Sequence, residues 1–153
     1  MPSRHKGTAR ERRALAAYIN LLRATNTVSS QAMRHLDAQG LTPSQFAVLE
    51  ALYHVGPMCL SDLARKILRT SGNLTMVVDN LEKSGMVKRV QSATDRRYVS
   101  VEITEKGRAL IAKIFPEHAE QVAEVMSRLT AQEQETLREL CRKLGVGVEG
   151  PET

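Results

Sequence analysis

The chain has 153 residues, long enough for one domain with a real core and too short for two ordinary ones. Two Phe, three Tyr and no Trp leave little from which to build a stacking platform for single-stranded nucleic acid, and no apolar run approaches the roughly 20 residues that span a bilayer. The net charge of +5 is uneven: +5 over residues 1–40, −1 over 41–60, +4 over 61–97 and −3 over 98–153, a distribution suited to a polyanionic partner.

Residues 1–11 read as a flexible basic arm, either a phosphate-touching segment or an untethered terminus. They lack the apolar core of a signal peptide, so a cytoplasmic location is expected. A long helix is predicted from Arg12 to Asp37, with Leu15, Ile19, Leu22, Asn26, Ser29, Met33 and Leu36 at helical spacing and Gly40 at its end. Its mixed stripe needs other long helices or a second subunit to cover it.

Thr42-Pro43-Ser44-Gln45 is a capping box with proline at the first helical position. It predicts a helix to Val55, with Phe46, Leu49, Leu52 and Tyr53 inward and Gly56-Pro57 as the stop. Met58-Cys59-Leu60 suits a short extra strand, and Ser61 suits the cap of the next helix.

From Leu60 to Ile103 the periodicity changes character. Leu63, Ala64 and Ile67 mark one short helix, and Leu74, Val77, Val78 and Leu81 mark a second after a tight turn. Val99, Val101 and Ile103 then alternate with Tyr98, Ser100 and Glu102, the period of a half-buried strand. Helix, turn, helix and a two-stranded hairpin form the outline of a winged helix-turn-helix, which usually lays its second helix in the major groove.

A further long helix is predicted from Thr104, with Ile111, Ile114, Phe115, Val122, Val125, Met126 and Leu129 on one face and a kink or short break at Pro116. Thr130 to Glu133 is a second capping box, opening a last helix with Leu137, Leu140, Cys141 and Leu144 inward and Gly145 at its end. Residues 146–153 read as a flexible tail. The fold class expected is therefore mainly α with a small β-wing, residues 41–103 forming the DNA-binding lobe and residues 12–40 and 104–145 a helical region.

Two outward sets carry the candidate chemistry. Arg69, Thr70, Ser71, Gly72, Asn73, Thr75, Met76 and Asn80 lie at the start and outer face of the second short helix. Asn pairs with adenine, Ser and Thr reach bases or phosphates, and Thr or Met packs on a thymine methyl. Lys88, Arg89, Asp95, Arg96 and Arg97 belong to the hairpin, whose cationic tip has the reach for the minor groove or adjacent phosphates. Taken alone, the first set is equally a capped surface helix and the second a solvated turn. Their order along one chain favours double-stranded DNA.

Residues 60–110 resemble the multiple-antibiotic-resistance regulator (MarR) family of bacterial transcription factors. The resemblance is carried by Leu81-Glu82-Lys83-Ser84-Gly85-Met86-Val87, by Asp95-Arg96-Arg97 and by Ile103-Thr104-Glu105-Lys106-Gly107. The phrase Thr70-Ser71-Gly72-Asn73-Leu74-Thr75 is similar to the recognition-helix start of many members. The resemblance implies a homodimer joined by its first and last helices, a palindromic operator, and release by a small molecule or an oxidant. It also implies Arg97 as the minor-groove residue and Asp95 as its orienting partner. Many members carry Arg near Met76 and at Asn80, and this chain has neither, which implies less reliance on guanine. The first-helix cysteine of the peroxide-sensing branch is absent, since no Cys precedes Cys59.

An effector cavity, in the family's usual place, would draw on Tyr18, Leu22, Phe46, Leu49 and Tyr53, residues that serve equally as core; an aromatic or phenolic ligand suits such a lining. The competing reading is a thiol switch at Cys59, with Cys141 expected as a small core residue. A metal sensor is a third, weakened because His5, His35, His54 and His118 show no ligand-pair spacing. No phosphate loop, nucleophile motif or HExxH pair is present, so neither an enzyme nor a cofactor is expected.

Overall fold

Apolar residues of one 13-residue helix, α2 (Pro43–Val55), form the spine around which the first of two structural units packs. The computed structural model describes residues 4–67 and 74–149, with side chains in the last helix to residue 145. Around α2 lie a 3-10 turn (Arg34–Gln39), α3 (Leu60–Lys66), α4 (Leu74–Lys83), strands β1 (Val87–Gln91) and β2 (Val99–Ile103), and the first part of α5 (Glu105–Met126). Together Met33–Ala119 form that unit. The second contains α1 (Ala9–Ala32), the end of α5 from Glu120, and α6 (Ala131–Glu149). The protein is mainly helical with a two-stranded antiparallel wing.

The Thr42 capping box is present as expected. Thr42 Oγ1 accepts from the Gln45 N–H at 3.1 Å, and Gln45 Oε1 accepts from the Thr42 N–H at 3.1 Å. Phe46, Val48, Leu49 and Leu52 are then buried against Leu36, Leu63, Val78, Leu81, Val87, Val101, Ile111 and Ile114. Each such side chain contributes about 1.5–3 kcal/mol on burial. Two histidines share this interior. His35 is 8% exposed, edge-on to Phe46 and 5.2 Å from the ring of His118, whose own ring lies tilted 4.6 Å from that of Phe46.

Several boundaries differ from the sequence expectation. Helix α1 already begins at Ala9, because Thr8 and Glu11 form their own capping box (2.7 and 3.2 Å). It stops at Ala32, where a tighter 3-10 turn carries the chain to Gly40, whose φ of 69° closes it. At α3 the capping position is Cys59, not Ser61: Cys59 is extended and Leu60 is already helical, leaving the Ser61 hydroxyl 3.1 Å from Cys59 Sγ. Helix α5 passes through Pro116 without a break. Ala112 and Pro116 are both on the exposed face of the helix, where the hydrogen bond that proline removes is least costly to lose.

The last helix brings the largest reversal. Thr130 and Glu133 cap it as expected (2.8 and 3.2 Å), and it continues past Gly145 to Glu149. Leu137, Leu140, Leu144 and Cys141 are nevertheless exposed, Leu140 at 59% and Leu144 at 66%. The amphipathic stripe exists, but these four residues of it stay exposed among the described residues. Helix α1 likewise buries only Ala32, while Tyr18 and Leu22 are exposed. Among the described residues no helix is long and apolar enough to cross a membrane.

The entry and exit of the wing are closed by one glycine. A methyl group on Gly107 would lie 2.2 Å from the Met86 carbonyl oxygen and 2.9 Å from Ile103 Cγ1. Gly107→Ala is therefore expected to destabilise the fold by about 1–3 kcal/mol, read from the midpoint of urea unfolding; an unchanged midpoint would contradict the close approach.

Candidate nucleic-acid interface

Helix α4 turns Leu74, Val78 and Leu81 into the core, with Val77 half-buried beside them. Helical geometry then sends Thr75, Met76 and Asn80 outward, all three exposed, with Asp79 half-buried on the same side. These are one hydroxyl, one flexible thioether and one amide, a set able to read base edges. Arg69, Thr70, Ser71, Gly72 and Asn73 lie outside the described residues.

The wing pairs Val87 with Ile103, Lys88 with Glu102, Arg89 with Val101, Val90 with Ser100 and Gln91 with Val99. The expected third strand shrinks to a single bridge, in which Met58 exchanges both backbone hydrogen bonds with Val101 (3.2 and 2.8 Å). Only at this base does the inward alternation hold fully. Val87 and Val101 are buried, whereas Val99, nearer the tip, is exposed because the ribbon has left the core.

The tip is internally braced. Ser92 donates its N–H to the Tyr98 carbonyl (2.9 Å), and Gln91 Nε2 donates to the Arg96 carbonyl (2.8 Å). Asp95 Oδ1 accepts from the backbone N–H of Arg97 (3.0 Å) and from its Nε (3.2 Å), while Oδ2 accepts from its terminal nitrogen at 3.4 Å. The Arg97 side chain is still 91% exposed, so it is aimed without being covered. Those contacts, side chain first and backbone second, hold the Asp95 carboxyl below the usual carboxylate range.

The other wing cations divide sharply. Arg96 is exposed and forms no ion pair among the described residues. Lys88 lies 3.7 Å from Glu102 on the neighbouring strand. Arg89 is at the base, only 26% exposed, between Asp79 (2.6 Å) and Glu82 (2.9 Å) of α4. The sequence groups these four residues as one basic loop and carries no mark of this separation.

Of the residues suggested for an effector cavity, Phe46 and Leu49 are fully buried core. Tyr18 and Leu22 are exposed on α1, in the other unit. Tyr53 alone borders an open cavity of about 350 Å³, with His54, Gly56, Glu102 and Arg108 on its walls and the Arg108 guanidinium 5.7 Å from the Tyr53 ring centre. Reading residues at helical spacing missed Arg108, which lies far from Tyr53 in sequence. Cys59 is half-buried beside Ser61, and its hydrogen bond, followed by that of Arg65, lowers the pKa of Asp62. Tyr98 is pushed up by neighbouring Cys59 first, then by burial and Asp62. Among the described residues no three metal-ligating side chains converge.

A helix-turn-helix lobe with a braced, cation-tipped wing defines a winged-helix DNA-binding protein. A family model described as MarR family matches residues 41–99. The chain is 40% identical over 134 residues to the HTH-type transcriptional regulator MhqR of Bacillus subtilis, covering 88% of this chain and 92% of that one. It is 27% identical, with a TM-score of 0.75, to the solved structure of Bordetella bronchiseptica BpsR, whose DNA binding is regulated by 6-hydroxynicotinic acid; 85% of this chain and 98% of that one are covered. The DNA complex of Sco3205, a MarR family regulator from Streptomyces coelicolor, matches in fold with a TM-score of 0.79 at 24% identity, over 100% and 96% of the two chains. The chain belongs to the MarR family of DNA-binding transcriptional regulators.

Because the folded pKa of Asp95 is lowered, the stabilisation from its contacts is complete above the ordinary aspartate value of about 3.9 and is lost as pH falls through the folded value. Arg97→Ala should move the Asp95 titration, followed by NMR, up towards that ordinary value. A midpoint unmoved by the substitution would contradict the contact.

Proposed function

We propose that the protein is a cytoplasmic homodimeric repressor that binds a palindromic DNA operator and is released from it by a small hydroxylated aromatic ligand. The observation that carries the DNA half is Arg97, braced by Asp95 yet almost fully exposed at the wing tip. In this reading Arg97 enters the minor groove and Arg96 and Lys88 meet phosphates. Thr75, Met76 and Asn80 read the major groove, together with Arg69, Thr70, Ser71, Gly72 and Asn73 before them. The dimer is supported by the stripe Leu137, Leu140 and Leu144, exposed among the described residues, since an apolar helix face left uncovered is stabilised by a partner. Two-fold symmetry in the protein then implies two-fold symmetry in the operator.

Arg97→Ala should leave the fold intact, weaken binding to a duplex selected by the wild-type protein from a random pool, and reduce the salt dependence by about one phosphate contact. Sedimentation of the same complexes should find two chains per duplex. Wild-type affinity in folded Arg97→Ala at physiological salt, or one chain per duplex, contradicts the reading.

The ligand half is supported by BpsR, which answers to a hydroxylated aromatic acid. On this chain Arg108 beside Tyr53 offers a cation and a ring to such a molecule. The second reading, a thiol switch, is favoured by the position of Cys59 next to Tyr98 at the wing, where a change at sulfur would be felt by the DNA-binding loop. Titrating hydroxylated benzoates and an oxidant against the protein–DNA complex, with wild type and Cys59→Ser, separates the two. Release by the acids in both proteins supports the ligand; release by oxidant alone, lost in Cys59→Ser, supports the thiol.

A further inference from the structure

By composition Arg89 belongs with Lys88, Arg96 and Arg97 as a backbone-contacting cation. Its surroundings give it a different task. One terminal nitrogen donates to Asp79 Oδ1 at 2.6 Å and the other to Glu82 Oε1 at 2.9 Å. The backbone N–H of Arg89 donates to Glu82 Oε2 at 3.0 Å. Asp79 and Glu82 are three residues apart on α4, hence on one face, and a planar fork can satisfy both at once. Partial burial opposes the charge on the guanidinium, but the two carboxylates outweigh it and raise its pKa. The nearest like charge on the strand, Lys88, is directed to Glu102 instead.

We infer that Arg89 is a positioning residue of the DNA interface: it ties the recognition helix to the first wing strand through Asp79 and Glu82, setting the angle between them, and does not contact phosphate. The inference rests on the reading that α4 and the wing face DNA. It gives the two acids a purpose, since bare carboxylates on that helix would repel the backbone. A rigid angle matters most for base reading, because a tilt of α4 moves Thr75, Met76 and Asn80 off their base edges while leaving exposed wing cations near phosphates.

The test compares two duplexes of equal length, one selected on the wild-type protein from a random pool and one unrelated, over a range of salt concentrations. Arg89→Lys keeps the charge and loses the fork. It is expected to bind the unrelated duplex with unchanged affinity and salt dependence and to lose roughly tenfold on the selected duplex, the size of one good base contact. Should that variant fold poorly by thermal melting, Asp79→Asn with Glu82→Gln decides the matter: it cuts the same tie from the helix side and leaves Arg89 charged. The selected-over-unrelated ratio should fall again.

A ratio equal to wild type in folded Arg89→Lys overturns the inference. So does a rise in selected-duplex affinity and in salt dependence by about one contact in the double variant, the response of a phosphate-binding cation set free. Arg97→Ala in the same assay separates the levels. If it binds both duplexes as wild type does, the reading of the DNA face fails and the tie falls with it; if it loses affinity while Arg89→Lys does not, the tie alone fails.

Discussion

Val101 is the point on which the arrangement of the wing depends. Its side chain is buried in the core, its backbone exchanges two hydrogen bonds with Met58, and it lies opposite Arg89 in the ribbon. Three residues later Thr104 closes the same base: its N–H donates to the Met86 carbonyl at 3.0 Å and its hydroxyl to the Gly85 carbonyl at 2.6 Å. It also accepts the Gly107 N–H at 3.1 Å, so the end of the wing and the start of α5 share one residue. The braced tip is thus carried on an anchored base. Small changes in how the base packs would be carried out to Arg97.

The same base explains why charge alone describes the surface poorly. Four cations occur between Lys88 and Arg97, but the core fixes their neighbours differently. Near the core, β1 runs beside α4 and brings Arg89 against helix carboxylates. Out at the tip, among the described residues, only the loop's own Asp95 pairs with Arg97, and it accepts from the backbone and guanidinium without covering them. Distance from the core therefore sorts one basic segment into a structural cation and exposed ones.

Periodicity and capping made most of the fold legible. The Thr42 and Thr130 boxes, the α4 stripe and the hairpin all follow from local chemistry that one chain satisfies by itself. What was not legible depends on which surface meets which. Leu137, Leu140 and Leu144 have the spacing of a buried face, and spacing cannot say whether the covering surface belongs to the same chain. Pro116 reads as a kink or short break because sequence does not show that it and Ala112 lie on an exposed face of a continuous helix. Arg89 and Arg97 look alike as residues, and only tertiary contact separates them. Of the pocket residues, Phe46 and Leu49 show the ambiguity of apolar spacing, which marks core and cavity walls alike.

A two-stranded ribbon has two outer edges, and each is a template for a strand from another molecule. Here the Glu82 carboxylate occupies the outward N–H of Arg89 on one edge, and Met58 occupies both outward groups of Val101 on the other. At its middle rung the wing is thereby closed on the β2 side and has its donor occupied on the β1 side. A strand from another molecule would find these outward groups already in use at that rung.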